Sequence, residues 1–169
     1  MRDFNNNVVN ELPDISKITF IKIEKSYLSV LLINIFLIFV PTLIGLVVLI
    51  NLKLEEVIPE YTWLFYLVYF FVFAFIITTF CIGFSKRKYA LREKDVSYKK
   101  GILLKKMTTV PFSRIQHVEI NEGPISRLFK LASLSVFTAG DSSDDLEISG
   151  IQKTEALRIK EFISSKING

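Results

Sequence analysis

Cysteine and histidine are nearly absent: Cys81 and His117 are the single examples of each in 169 residues. One thiol forms no internal disulfide and supplies no cysteine-rich metal site, so Cys81 reads as a small packing residue. His117 stands in an apparent strand, IQHVEI, and reads as a solvated or interface position rather than a general base. Also missing are a Ser-His-acid set, a phosphate-gripping glycine loop, a metal-ligand cluster and a nucleotide fingerprint. No carboxylate is placed in a pattern that implies acid–base work. The expectation is therefore no catalytic residues, no metal, no cofactor and no small-molecule substrate. The chain is basic, with 21 Lys and Arg against 17 Asp and Glu, yet it lacks a nucleic-acid recognition motif. Nucleic acid is not an expected partner.

Charge is missing from two long stretches. Tyr27 to Ile50 and Tyr61 to Phe84 each run about 24 residues without Asp, Glu, Lys, Arg or His, and a bilayer needs about 20 for a helix. No small-residue cleavage site follows Ile50, so a cleaved signal peptide is not expected. The linker Asn51 to Glu60 is short, which makes the two helices antiparallel neighbours. It holds Lys53 against Glu55, Glu56 and Glu60, whereas Lys17, Lys22 and Lys25 precede the first span and Lys86, Arg87 and Lys88 follow the second. Basic flanks stay inside. The expectation is a multi-pass protein of the cell membrane with both termini cytoplasmic.

Tyr27, Tyr61 and Trp63 fall near the span ends, where amphipathic rings prefer headgroup level. Asn34, Pro41 and Gly45 share one face of the first helix by their spacing, and Ala74, Thr78 and Cys81 make a comparable small face on the second. These faces are expected to meet, with a cross-helix hydrogen bond near Asn34 and Thr78. A substrate path through them is not expected, because intramembrane transport usually needs ionisable groups and two helices enclose no route.

The remaining chain changes period. Before the first span, Ile15, Ile18 and Ile21 or Lys22 fit a short interfacial helix capped by Asp14 or Ser16 after the Leu12-Pro13 break. A strand through Thr19 to Ile23 is the alternative. After Phe84, alternation marks strands around Tyr89 and Leu91, at Val96 to Lys100, Ile102 to Val110, Arg114 to Ile120, Leu134 to Thr138, and Leu146 to Ile148. Ile125 to Leu131 suits a helical turn or two. Lys153 to Ile167 reads as a helix with an apolar stripe of Ala156, Leu157, Ile159, Ile163 and Ile167, which needs a sheet to cover.

The fold class that follows is α+β. A two-helix transmembrane hairpin precedes an antiparallel β-barrel or split sheet closed by a C-terminal helix. The expected divisions are an N-terminal cytoplasmic and interfacial segment, 1–26, the hairpin, 27–85, and a cytoplasmic domain, 86–169.

Several short pieces in that domain carry a resemblance: Tyr89, Gly101, Pro111 with Ile115 and Gln116, Arg127 with Phe129, Leu134 to Phe137, and Thr138-Ala139-Gly140. Together with two preceding membrane helices, this arrangement resembles the YdbS-like group of bacterial pleckstrin-homology-like proteins (bPH2, formerly DUF304). The resemblance covers roughly Tyr27 to Ile167 and implies a pleckstrin-homology-like domain. Two positions depart from the pattern. Lys130 stands where the family often has Gly, and a lysine there disfavours positive φ. Asp141 stands where a second Gly is common, and with Asp144 and Asp145 it makes that loop acidic.

From Lys86 onward there are 16 Lys and Arg against 10 Asp and Glu, a local balance of +6. Lys86, Arg87, Lys88, Lys99, Lys100, Lys105 and Lys106 are the candidate residues for lipid or partner binding. Gln116, Arg127 and Thr138 read as structural, with Arg127 pairing to Glu119 or Glu122. The favoured function is non-catalytic assembly, in which the domain binds copies of itself or another membrane protein. The alternative is recognition of anionic membrane lipids. An apolar patch exposed on a strand edge would favour assembly; a concave basic cleft would favour an anionic ligand.

Overall fold

The structure, a computed structural model, describes residues 18–54, 59–139 and 145–167. The expected Leu12-Pro13 break, the Asp14 or Ser16 cap, Glu55 and Glu56 of the linker, and Gly140, Asp141 and Asp144 lie outside the described residues.

Among the described residues, two helices are long and apolar enough to cross a membrane. The first, α1 (Ser26–Leu49), continues into a wider π-type turn over Ile50–Leu54; the second is α2 (Thr62–Lys86). Large apolar side chains face outward along both, as a lipid-facing surface requires. The helices meet through aromatic rings. Phe36 and Phe39 lie against Phe73, with ring centroids 5.4 and 4.8 Å apart, and Phe39 lies 5.6 Å from Tyr69. The hydroxyls of Thr42 and Tyr69 are 2.8 Å apart, and the Tyr69 hydroxyl also donates to the Phe39 carbonyl. Thr42 in turn reaches the Ile38 carbonyl at 3.0 Å, beside the donor that Pro41 lacks.

The expected small-residue contact is thus corrected. Asn34, Pro41 and Gly45 lie exposed on α1, and nothing stands within 4 Å of a Cβ built on Gly45. Ala74 and Cys81 are half-buried, and Thr78 is exposed and donates to Ala74 of its own helix. Without a hydrophobic drive between helices in lipid, contact area decides the face. Rings one turn away supply more of it than Gly or Asn.

Among the described residues, seven strands form two antiparallel sheets. Strands β1 (Ile21–Lys22), β2 (Lys88–Leu91), β3 (Asp95–Lys100) and β4 (Lys106–Pro111) lie in that order in the first. Strands β5 (Ile115–Asn121), β6 (Leu131–Thr138) and β7 (Leu146–Gln152) make the second. Helix α3 (Pro124–Leu128) joins β5 to β6 and packs against α1. Helix α4 (Lys153–Ile167) covers β5, β6 and β7 with Ala156, Ile159 and Ile163. Leu157 and Ile167 fall off that stripe and are exposed. Of the two sheet arrangements expected, the described residues form the split one.

Two further expectations change here. The segment before α1 is strand, not helix, at Ile21–Lys22. It pairs with β2, whose backbone groups would otherwise lack partners on that side. Ile23 then enters the core, the Glu24 N–H donates to the Gly150 carbonyl at 2.9 Å, and the Gln152 amide donates to Glu24 at 2.9 Å. The folded domain therefore starts before α1, and the helical hairpin is an insertion between β1 and β2. The third predicted strand also begins late. Residues 102–104 form a loop, because Gly101 at φ +110° folds the chain back until a Cβ there would stand 1.9 Å from the Leu104 carbonyl oxygen.

The core lies between the sheets and α4. Val96, Leu134, Val136, Ile148, Ala156 and Ile163 are fully buried in it. Tyr27 and Phe84, at the near ends of α1 and α2, pack against it and join hairpin to domain.

Candidate functional site

The register of the first sheet sets three lysines directly opposite one another. Lys22 of β1 faces Lys88 of β2, and Lys88 faces Lys99 of β3. Directly opposed residues share one face, roughly 4.8 Å apart from strand to strand. Lys86 in the last turn of α2, and Lys100 and Lys105 around the β3–β4 turn, close on the same place. The result is a cleft of about 490 Å³ whose remaining lining is Phe20, Ser85 and Gly101, with no carboxylate among the described residues. The Lys99 ammonium stands 5.9 Å from the Phe20 ring centroid, and that of Lys100 is 5.9 Å from the Tyr98 ring centroid.

Like charges set opposite each other on paired strands are destabilising. Here the described lining offers no acid to offset them. Each ammonium presents three donors and no acceptor, so the cleft can hold an anion. Beneath it lie two buried phenols. Burial pushes the Tyr98 hydroxyl above its usual range, with Arg87 opposing, and burial with the charges of Glu155 and Glu24 pushes Tyr89 up.

Five of the seven basic residues singled out by sequence meet in this cleft: Lys86, Lys88, Lys99, Lys100 and Lys105. Arg87 does not line it; its guanidinium lies 5.8 Å over the Tyr27 ring. Lys106 lies instead on a neighbouring apolar groove beside the loop 102–104. Sequence reasoning places Lys22 in the basic flank and the expected interfacial helix, and misses Phe20. The strand alternative for Thr19 to Ile23 is the signal that could have placed both.

The other singled-out residues act locally. Gln116 and Arg127 are exposed. Glu122 pairs with the Lys153 ammonium at 2.7 Å, tying the turn before α3 to the start of α4, so this acid is not the partner expected for Arg127. The Thr138 N–H donates to the Asp145 carboxylate at 3.0 Å, which ties the end of β6 to the residue before β7. His117 stacks on Phe137 at 4.3 Å and is half-exposed. Lys130 adopts φ +56° despite its side chain. Among the described residues, no group of three or more His, Cys, Asp or Glu gathers to hold a metal.

Comparison with known proteins places this geometry in context. A family model described as "Bacterial PH domain" matches residues 16–167. The chain is 29% identical over 92 residues to the UPF0699 transmembrane protein YdbS of Bacillus subtilis (strain 168), covering 53% of this chain and 56% of that protein. It is 28% identical over 96 residues to the UPF0699 transmembrane protein YdbT of the same organism, covering 56% of this chain and 20% of that one. The chain therefore spans about half the length of the first relative and a fifth of the second. A crystal structure of a DUF1696 family protein with a pleckstrin-homology domain, from Shewanella loihica PV-4, shares 19% identity with a TM-score of 0.37, over 48% of this chain and 70% of that one.

Proposed function

This chain belongs to the bacterial PH domain family, and on that premise we propose that it is a non-catalytic membrane-anchored module whose domain holds anionic lipid headgroups in the lysine cleft. The observation that carries the reading is the opposed row Lys22–Lys88–Lys99 in a cleft whose described lining holds no acid. A bound anion removes the repulsion that this row otherwise imposes. Position supports it as well, since Lys86 ends a helix long enough to span a bilayer. Basic flanks favour a cytoplasmic placement of both hairpin ends, and the pairing of β1 with β2 fits two ends on one side. The cytoplasmic leaflet is the anionic one, and each lysine near it contributes about 1 kcal/mol.

The test is lipid retention. The full chain is reconstituted into nanodiscs of mixed phosphatidylcholine and phosphatidylglycerol, and retained lipids are counted by native mass spectrometry. Wild type is expected to enrich phosphatidylglycerol. Removing two charges with K88Q/K99Q weakens that by about 30-fold at roughly 1 kcal/mol each. Equal retention of both lipids by wild type would sink the reading.

Assembly with a second copy or another membrane protein is the second reading. It has one observation in its favour: β4 has β3 as its single sheet neighbour among the described residues, so its outer edge is open to strand addition. Crosslinking in native lipid followed by mass spectrometry tests it, and the absence of any inter-chain crosslink at β4 would remove it.

A further inference from the structure

The β3–β4 turn presents an apolar tip that none of the described residues covers. Leu103 is 95% exposed and Leu104 88%, the two most exposed large hydrophobic side chains among the described residues. Charge brackets the tip closely: Lys99 and Lys100 precede it, and Lys105 and Lys106 follow. The tip also has a fixed neighbour. Its Ile102 Cδ1 would lie 3.4 Å from a Cβ at Gly83 of α2, so the loop runs beside the end of that helix. An apolar groove of about 610 Å³ lies between the two, and on α2 it extends from Gly83 through Phe80 to Phe75. At 1.5 Å per residue, Phe75 is roughly 16 Å along the helix from Lys86. The groove therefore climbs the part of α2 that faces hydrocarbon if the helix spans.

We propose that the tip Ile102–Leu104 is a third membrane-inserted element, immersed in the acyl chains of the leaflet that the domain faces, with Lys100, Lys105 and Lys106 as its collar at headgroup level. The occupant of the groove is then a lipid chain. Three observations select lipid over a protein partner. The groove is continuous with the lipid-facing surface of α2, the tip ends in two bare leucines, and the basic collar matches phosphate at the level where headgroups lie. An apolar face with a lysine rim is the pattern of an element lying in the interface. The inference rests on the reading that α2 spans the bilayer. It does not depend on the lysine cleft discriminating between lipids.

The experiment is depth-resolved quenching of the full chain in vesicles made only of phosphatidylcholine, so that anionic-lipid recognition does not enter. In a C81S background, an environment-sensitive fluorophore is attached to L103C, to E93C on the β2–β3 turn at the other end of the sheet, or to F71C within α2. Doxyl-labelled phosphatidylcholine quenches from the acyl chains, and iodide quenches from water. The L103C label is expected to be quenched by a doxyl near the top of the chain and to lose most of the iodide quenching that E93C shows. The F71C label is expected to respond to a deeper doxyl. Iodide quenching at L103C equal to that at E93C, with F71C still quenched by lipid, overturns the tip and leaves the spanning helix standing. An L103C label shielded from both quenchers means that protein covers the tip, which also overturns the proposal. An F71C label that no doxyl reaches overturns the spanning premise and the tip with it.

Discussion

The ring of Tyr27 occupies the space where a side chain on Gly150 would begin: a Cβ there would stand 2.4 Å from Tyr27 Cγ. Gly150 also holds φ +81° and accepts the Glu24 N–H at 2.9 Å. The first turn of α1 is thereby clamped onto β7. Introducing G150A forces both a left-handed alanine and a ring displacement, for a loss of about 2–4 kcal/mol. Thermal melts of the detergent-solubilised chain check the loss. A double-mutant cycle with Y27A checks the cause, since the two losses should fall well short of adding.

The lysine row gives a pair of opposite signs. Without anionic lipid, replacing Lys88 by Gln removes repulsion on two sides and should raise stability by roughly 0.2–1 kcal/mol. With anionic lipid present the same variant should be the less stabilised protein. Melting in zwitterionic and in anionic detergent distinguishes the two. A loss in both would mean that Lys88 serves packing alone.

Between the membrane helices, Y69F removes the hydroxyl that meets Thr42 and the Phe39 carbonyl. Hydrogen bonds of this kind contribute about 0.6–1.7 kcal/mol in membranes. Steric-trap measurement of helix dissociation should register that loss. Gly45→Leu should leave dissociation unchanged, because space is open around it.

Lys130 sits in the left-handed region at φ +56°. That conformation costs a side-chain residue about 1–2 kcal/mol relative to the right-handed one, and glycine adopts it freely. After the larger unfolded-state freedom of glycine is subtracted, K130G should stabilise by about 1 kcal/mol. Chemical denaturation midpoints measure it, and an unchanged or lower midpoint contradicts it.

Alkaline pH should weaken the domain through Tyr89 and Tyr98. Both are raised above 10.0 chiefly by burial. In the unfolded chain these phenols ionise as pH passes about 10, while in the folded chain they still hold their protons. The stability they carry is complete below that pH and falls as pH climbs toward the raised values. Y89F and Y98F should each flatten the alkaline fall seen in thermal melts followed by circular dichroism.

Much of the fold is legible in the sequence because its signals are local. Two runs without charge give two long apolar helices, and Leu134, Val136 and Thr138 alternate with Ser135 and Phe137 as they do in β6. What is not legible depends on distant partners. Strand β1 is two residues long, and its reason for being a strand is β2, on the far side of the hairpin. Without that pairing Lys22 is one more flanking base, and the cleft loses one end of its row. The tip misleads for a related reason. Ile102 to Leu104 is as apolar as a strand, and only the reversal at Gly101 shows that it is a turn. The small faces of the hairpin lose a competition, since Phe39, Phe73 and Tyr69 are equally well spaced to meet.

The placement of the hairpin between β1 and β2 bears on how the protein is made. The ribosome delivers Ile21 and Lys22 early, and their partners Tyr89 and Lys88 emerge only after both apolar helices. If one helix enters the bilayer and the other fails, a membrane separates the two strands and the sheet loses its edge. Ile23 is then also missing from the core. Completion of the domain thus doubles as a check on biogenesis. A chain in which that pairing fails leaves β2 bare and the core open.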